Sequence, residues 1–160
     1  MTCRHLRLLA VLSCLVALGV AHPRSVWAQS DTSRYELDRQ RKMERDQTFR
    51  ELSRGVLQMK KLAYASKIDG LEIPLYVFEP ETPRGAGGHP ALVWIHGGVH
   101  SDLDPTYFPF IKEAVERGYV IIAPEYRGST GYGQAHYEAI DYGGYEVEDC
   151  LTAVDYITQH

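Results

Sequence analysis

The feature that most constrains this chain is a pair of short apolar runs separated by a helical pattern. The runs Ala91–His96 and Tyr119–Pro124 have the composition of strands that are covered on both faces. Between them, Asp104 and Pro105 favour the start of a helix, and Gly118 favours its end. This strand–helix–strand order predicts an α/β sheet with helices packed on it.

The segment before the first run predicts a hairpin. Lys61–Lys67 and Leu71–Glu79 have the pattern of strands, and the dipeptide Asp69-Gly70 between them is a turn signal. The two strands are therefore expected to pair as neighbours along the chain.

Two helices are predicted after the second run. Gln134–Ile140 is short, whereas Tyr145–Thr158 is long enough to present an apolar face formed by Val147, Leu151 and Val154. A sheet that stops at this helix offers no surface for that face, so the sequence predicts an unfinished fold. Cys150 of the same helix is expected to be a small core residue.

The N-terminus has the composition of a signal peptide. Arg4 and Arg7 precede the apolar run Leu8–Ala21, which is too short for a membrane span of about 20 residues. We expect residues 1–28 to be removed after Ala28, leaving an exported chain without a stable membrane span. Lipidation at Cys14 is a weaker alternative, because the run stays apolar beyond this residue. A buried core helix is also a weaker alternative, because the run shows no amphipathic pattern.

Residues 29–60 carry dense charge of both signs. Phe49, Leu52 and Val56 have helical spacing, so we predict a solvated helix that leads into the domain and not a functional charge patch. The net charge of −4 and the 24% of charged residues are typical of a soluble globular protein. Without a basic stripe, a nucleic-acid partner is not expected.

The strongest local signal is Trp94-Ile95-His96-Gly97-Gly98 at the end of the first apolar run. Ligands of open α/β sheets bind at the carboxyl ends of strands. Two consecutive glycines allow a sharp turn whose N–H groups point outward, as in the oxyanion hole of α/β-hydrolases. A turn without any chemistry is the alternative, and this motif alone does not decide between them.

Three segments together resemble one family. His96-Gly97-Gly98, the stretch Pro124–Gly133 and Asp141-Tyr142-Gly143-Gly144 are similar to the catalytic domain of the prolyl oligopeptidase family, above all to its acylaminoacyl-peptidase-like branch. The resemblance covers residues 61–160. It implies an α/β-hydrolase fold with about four of its strands present, and a serine peptidase that cleaves peptide or related acyl bonds without a cofactor.

The resemblance also implies roles for residues. Gly97 and Gly98 match the oxyanion-hole turn through their backbone N–H groups, with Val99 where the family often has proline. Arg127 matches an arginine that we expect to form an orienting ion pair. The candidates to line the cleft are His96, Tyr126, Arg127 and Tyr132. Packing in the core is the alternative for the two tyrosines.

The serine nucleophile of the family is not found in these 160 residues. No G-x-S-x-G motif occurs, and Ser129 lies in Arg-Gly-Ser-Thr-Gly, one glycine out of register. In the family the nucleophile follows the strand after the helix placed at Tyr145–Thr158, and the acid and the histidine come later. We therefore expect an N-terminal fragment of a secreted serine hydrolase, inactive by itself, whose Ser-His-Asp triad lies beyond His160.

The resemblance implies the strand order 1-2-4-3-5. The strand Ala91–His96 would then lie at an edge that a fifth strand covers. An open apolar edge promotes aggregation. We therefore expect residues 29–160 alone to be poorly soluble or not cooperatively folded.

Three other interpretations remain open. A secreted carboxylesterase has the same turn and sheet, and a non-catalytic remnant or interaction protein fits a chain that ends naturally at His160. A zinc site is the third. Its candidate ligands are His96, His100, Asp102 and Asp104. No metal is expected. Gly97-Gly98 interrupts any helix that would place the two histidines on one face, and Asp104 is expected to cap the helix that follows.

Overall fold

The computed structural model describes residues 26–82, 85 and 87–159, with side chains from residue 33 onward. The expected signal peptide lies outside these residues except for its last three positions. Within the described residues the elements are α1 (Val26–Ser53), β1 (Gln58–Ala65), β2 (Glu72–Glu79), β3 (Ala91–Val93), α2 (Phe108–Glu116), β4 (Val120–Pro124), α3 (Gln134–Glu138) and α4 (Tyr145–Gln159). None of these helices is long and apolar enough to cross a membrane.

The four strands form one sheet in the order β1-β2-β4-β3. β1 and β2 are antiparallel with Leu62 opposite Leu75, and β2 and β4 are also antiparallel. β3 and β4 are parallel, with Leu92 opposite Ile121. The predicted α/β class, the strand count and the order 1-2-4-3 are confirmed.

The prediction that Ala91–His96 is a strand covered on both faces is wrong. Among the described residues β3 pairs only with β4, and it is limited to Ala91–Val93. Leu92 is 46% exposed, and Ile95 just beyond the strand is 57% exposed. The run is therefore exposed to solvent. Because β3 has only one neighbouring strand among the described residues, it also lies at an edge of the sheet, which is the position that the family resemblance implied.

Two apolar clusters hold the helices on opposite faces of the sheet. The alternation of side chains along β2 sends Tyr76 and Phe78 to one face and Ile73, Leu75 and Val77 to the other. The first cluster contains Phe49, Leu57, Tyr76, Phe78, Leu103, Phe108, Ile111, Val115, Ile121 and Ala123. The second contains Tyr64, Ile73, Leu75, Val77, Ile122 and Ala153. α1 and α2 thus cover one face, and α4 covers the other.

The prediction of a solvated α1 is wrong for one of its faces. Phe49 is completely buried and packs against Tyr76 and Phe78, with both ring centroids 5.4 Å away. Lys42 of the same helix is only 3% exposed. The apolar pattern of α1 is weak because this buried position carries a charged residue that is paired within the fold.

The ends of α2 follow the sequence signals. Asp104 Oδ1 accepts a hydrogen bond from the N–H of Thr106 at 2.9 Å, and Pro105–Tyr107 forms a 3₁₀ turn before the α-helix begins at Phe108. Gly118 follows the helix with a φ of +89°, a conformation that favours glycine. The predicted cap is therefore present, one turn ahead of the α-helix proper.

α4 packs on the sheet through a face other than Val147, Leu151 and Val154. These three residues are exposed, and Ala153 is fully buried in the second apolar cluster. Cys150 is buried and free, as the sequence predicts. Burial raises the pKa of its thiol to about 12, so the thiolate is disfavoured at neutral pH.

Candidate active site

The candidate site lies where the carboxyl ends of β3 and β4 meet. Because these strands are parallel neighbours, the residues after Val93 and after Pro124 emerge side by side. The N–H of Trp94 donates to the carbonyl oxygen of Ile122 at 2.7 Å, which continues the pairing toward the glycine turn. The loop 125–133 packs against this turn.

Gly97 and Gly98 form an exposed turn at this edge. Gly98 has a φ of +74°, so glycine is favoured there. Neither of the two N–H groups donates a hydrogen bond to another described residue. Within the described residues both donors therefore lack an acceptor, which is a condition for the predicted oxyanion role.

Tyr126 holds the glycine turn through its hydroxyl group. Its hydroxyl donates to the carbonyl oxygen of His96 at 3.1 Å and also lies 3.3 Å from the carbonyl oxygen of Gly98. Its ring stacks on the His96 imidazole with the centroids 4.5 Å apart. Burial raises the pKa of the Tyr126 hydroxyl to about 12. Tyr126 is therefore uncharged at neutral pH and stabilises the turn. Its burial favours packing in the core, the alternative given above, over a position along an open cleft.

His96 is also buried and does not line an open cleft. Its Nε2 lies 2.9 Å from Ser129 Oγ, and that hydroxyl donates to the carbonyl oxygen of Tyr126 at 2.6 Å. The serine has one proton, so His96 Nε2–H must be the donor to Ser129. Burial lowers the pKa of His96 to about 4. The imidazole is therefore neutral at pH 7 and holds the loop in place.

Arg127 forms the ion pair that the resemblance implies. Its guanidinium contacts Asp149 of α4 through Nε at 2.8 Å and through a terminal nitrogen at 3.0 Å. It also contacts both carboxylate oxygens of Asp69 at 3.0 Å. The neighbouring guanidinium lowers the pKa of Asp69. Arg127 therefore joins the hairpin turn, the loop and α4, and it is buried and not at a cleft surface.

A buried charge cluster that sequence reasoning missed lies beneath the loop. Lys42 Nζ donates to Glu125 Oε1 at 2.7 Å and to Asp102 Oδ2 at 3.0 Å. Leu103 N–H also donates to Glu125 Oε1, at 2.9 Å. Arg45 pairs with Asp102 from the rim of the cluster. No sequence motif marked these residues as a cluster, and Lys42 lies among many other charged residues of α1.

Two polar atoms near this cluster have no hydrogen-bond partner among the described residues, namely Glu125 Oε2 and the Tyr132 hydroxyl. Glu125 Oε2 lies 4.0 Å from His96 Nε2. Burial raises the pKa of Glu125 and holds that of Tyr132 well above its usual value. Since the Tyr132 hydroxyl is enclosed, this residue too belongs to the core and not to an open cleft.

The four candidate zinc ligands do not converge. His100 Nδ1 contacts the carbonyl oxygen of Gly128 at 2.9 Å, and its ring stacks on Tyr137 with the centroids 3.6 Å apart. Asp104 caps the turn before α2, and the other two residues are bound in the contacts above. In the part of the chain that the structure describes, no three His, Cys, Asp or Glu residues are placed to hold a metal ion.

The comparison of the sequence with known families supports the resemblance. Residues 106–160, which include the loop 125–133 and α4, match the prolyl oligopeptidase family. The glycine turn lies just before the matched residues and is joined to them by the hydrogen bonds of Tyr126.

Relatives and solved structures agree with this family. The chain is 34% identical over 98 residues to the uncharacterized peptidase YuxL of Bacillus subtilis. It is 26% identical to a puromycin-hydrolyzing peptidase of Mycobacterium tuberculosis, with a TM-score of 0.58 over 64% of this chain. It also shares the fold of an acylaminoacyl peptidase of Pyrococcus horikoshii, at 20% identity and a TM-score of 0.55 over 71% of this chain.

The chain spans only a small part of these proteins. The matched region of YuxL comprises 60% of this chain but 15% of YuxL. The shares of the two solved structures are 17% and 18%. The sheet described above is thus similar to one part of the α/β-hydrolase fold of these peptidases.

Proposed function

We propose that this chain contributes the oxyanion turn of a serine peptidase of the prolyl oligopeptidase family. The observation that carries the proposal is the pair of N–H groups at Gly97 and Gly98, which have no acceptor among the described residues and lie beside a loop of matching family sequence. The Ser-His-Asp triad is proposed to lie in polypeptide beyond these 160 residues.

The geometry supports a defined step in peptide hydrolysis. A serine attacks the acyl carbon while a histidine accepts its proton, and negative charge develops on the carbonyl oxygen. An N–H of the Gly97–Gly98 turn would donate to that oxygen, and one such donor typically lowers the barrier by about 2.7–4 kcal/mol. Tyr126 contributes by restraining the carbonyl groups of the turn.

Ser129 is not proposed as the nucleophile. It is fully buried, and its proton is bound to the carbonyl oxygen of Tyr126. His96 donates to it and so does not act as its base. This local geometry agrees with the absence of a G-x-S-x-G motif around Ser129.

The first test is the open reading frame after the codon for His160. We expect a strand followed by G-x-S-x-G within about 15–30 codons, since this fold places its nucleophile on a strand-to-helix turn. The protein from that frame is then assayed with peptide anilides and p-nitrophenyl esters, and its serine is labelled with a fluorophosphonate. Peptide hydrolysis with labelling of the G-x-S-x-G serine supports the proposal.

Other results favour the alternatives. Strong ester hydrolysis without peptide hydrolysis favours a secreted carboxylesterase on the same fold. A genuine stop codon after His160, or a full-length protein that is neither labelled nor active, favours a non-catalytic role and overturns the proposal.

We also propose that the protein is exported. The proposal is supported by Arg4, Arg7 and the apolar run Leu8–Ala21, which have the composition of a signal peptide. N-terminal sequencing of the mature protein is expected to begin at Gln29. An intact N-terminus in the cytoplasmic fraction, or a lipid on Cys14, would contradict cleavage after Ala28.

A further inference from the structure

Lys42 connects α1 to the two segments that flank the glycine turn. Its Nζ donates to Asp102, four residues after Gly98, and to Glu125, the residue before Tyr126. The Lys42 side chain is only 3% exposed, and the side chains of Asp102 and Glu125 are 4% and 0% exposed. One ammonium group therefore joins the chain on both sides of the site.

The contacts continue from these carboxylates to the turn. Glu125 accepts from the N–H of Leu103 at 2.9 Å, and Thr130 N–H donates to the carbonyl oxygen of Ser101 at 2.8 Å. Thr130 Oγ1 also donates to Asp102 at 3.2 Å. The segment after the turn and the loop 125–133 are thus bound to each other at several points, with Lys42 at the centre.

Close packing leaves Lys42 little room to move. A Cβ placed on Gly131 would lie 2.5 Å from Lys42 Cβ, so the loop backbone contacts the stem of the lysine directly. The lysine Nζ also lies 4.8 Å from the centroid of the Tyr76 ring and 5.6 Å from that of Tyr132. Its head and its stem are therefore both held in one position.

Lys42 is also the main charge partner of Glu125. Without it, Glu125 Oε1 would keep only the N–H of Leu103, and Oε2 already has no partner among the described residues. Asp102 would keep Arg45. Loss of the ammonium group therefore leaves a buried carboxylate next to Tyr126, which holds the turn.

We infer that Lys42 is a positioning residue for the Gly97–Gly98 turn, acting through Glu125 and Asp102. The N-terminal helix is then part of the site's architecture and not a linker. The catalytic consequence of this inference rests on the proposed function, whereas its structural consequence does not.

Hydrogen–deuterium exchange of the full-length protein tests the structural consequence. In Lys42→Met, exchange at the N–H groups of Leu103 and Thr130 is expected to accelerate about tenfold or more, as for loss of a hydrogen bond to a charged group. The β1–β2 hairpin is expected to exchange as before. Lys42→Arg retains the charge and is expected to restore most of the protection.

Lys61→Met is the matched control. Lys61 is a partly buried lysine that pairs with Asp46 and approaches the hydroxyl of Tyr76 to 3.5 Å, and it forms no ion pair or hydrogen bond with either carboxylate held by Lys42 in the described residues. Its loss is expected to leave exchange at Leu103 and Thr130 unchanged. Equal effects of the two substitutions would overturn the inference.

If the unpaired Glu125 prevents Lys42→Met from folding, the double variant Lys42→Met/Glu125→Gln removes both charges. It is expected to fold and to retain fast exchange at Thr130, because the link to Asp102 is still missing. Exchange at the wild-type rate in this variant would also overturn the inference.

The activity of the full-length peptidase separates positioning from general stability. Lys42→Met is expected to lower kcat on a peptide anilide by about 100-fold with KM little changed, the loss expected when an oxyanion donor is misplaced. Lys42→Arg is expected to recover most of it, and a change confined to KM would contradict positioning. An inactive wild-type protein would refute the proposed function, and the exchange measurement would still decide the inference about Lys42.

Discussion

His96 Nε2 lies 2.9 Å from Ser129 Oγ, and because the serine proton is donated elsewhere, the histidine is the donor in this contact. The hydroxyl proton of Ser129 is bound to the carbonyl oxygen of Tyr126 at 2.6 Å. A Ser–His contact of this length has the spacing of a nucleophile and its base, yet the direction of the hydrogen bond and the complete burial of the serine exclude that role. The pair instead fixes the loop 125–133 against the glycine turn.

The neutral state of His96 predicts a pH dependence of stability. Its pKa is lowered from 6.5 to about 4 in the folded chain, so between these values the unfolded chain binds the additional proton. The contribution of His96 is complete above pH 6.5 and is lost as the pH falls to about 4. The corresponding slope is about 1.4 kcal/mol per pH unit for one proton.

His96→Gln tests this slope because glutamine keeps an N–H donor and does not titrate. Urea unfolding of the full-length wild-type and variant proteins is measured across this pH range, and the free energy of unfolding of the variant is expected to rise relative to that of the wild type as the pH falls. Glu125 acts in the opposite direction because its pKa is raised by burial, so only the difference between the two proteins isolates the histidine. Parallel curves would contradict the assignment.

Arg127→Met is expected to lower the free energy of unfolding by about 3–5 kcal/mol, the usual cost of removing one partner of a buried ion pair. Asp149 would remain fully buried without its cation. Arg117→Met is the control, because its pair with Glu113 on α2 is exposed and its loss should change little. Denaturant unfolding of both variants provides the measurement, and similar losses would argue against a buried pair.

Gly131→Ala is expected to destabilise the protein more than Gly70→Ala. Both glycines have positive φ, at +90° and +76°, so each substitution carries a backbone cost of about 1–2 kcal/mol. Only at Gly131 would the new Cβ also collide with Lys42, whereas nothing lies within 4 Å at Gly70. Equal shifts of the denaturation midpoint would show that α1 does not press on the loop.

The exposed apolar residues predict association of residues 29–160. Leu92 at the open edge and Leu151 on α4 are 46% and 52% exposed, and an uncovered apolar edge favours pairing with other chains. Leu92→Lys and Leu151→Lys are expected to reduce association in sedimentation experiments with little loss of stability. Ala153→Lys, at a fully buried position of α4, should unfold the chain. A wild-type segment that is monomeric at high concentration would contradict this prediction.

Much of the fold could be predicted from local patterns. The predicted helix Tyr145–Thr158 differs from α4 by one residue, and the Asp104 cap, Gly118 and the strand at residues 120–124 were all visible in the sequence. The strand order was predicted from the family resemblance. The exposure of β3 could not be recognised from its own composition, because an apolar run looks the same whether or not a neighbouring strand covers it.

The candidate site divides in the same way. Gly97, Gly98 and Arg127 could be singled out as candidates because each belongs to a short motif whose residue types carry their own chemistry. The placement of His96, Tyr126 and Tyr132 in the core rather than along a cleft depends on packing from several elements, which no motif specifies.

The sequence by itself determined the backbone of the turn, since paired glycines and a positive φ are local properties of a few residues. Only the tertiary structure decided which charges support it. Lys42 reaches Asp102 across 60 residues and Glu125 across 83, and in the sequence it is one cation among many in a charged segment. Its pairing follows from the packing of α1 on the sheet. There, burial makes an unpaired carboxylate costly, and Lys42 is placed to pair with both Asp102 and Glu125.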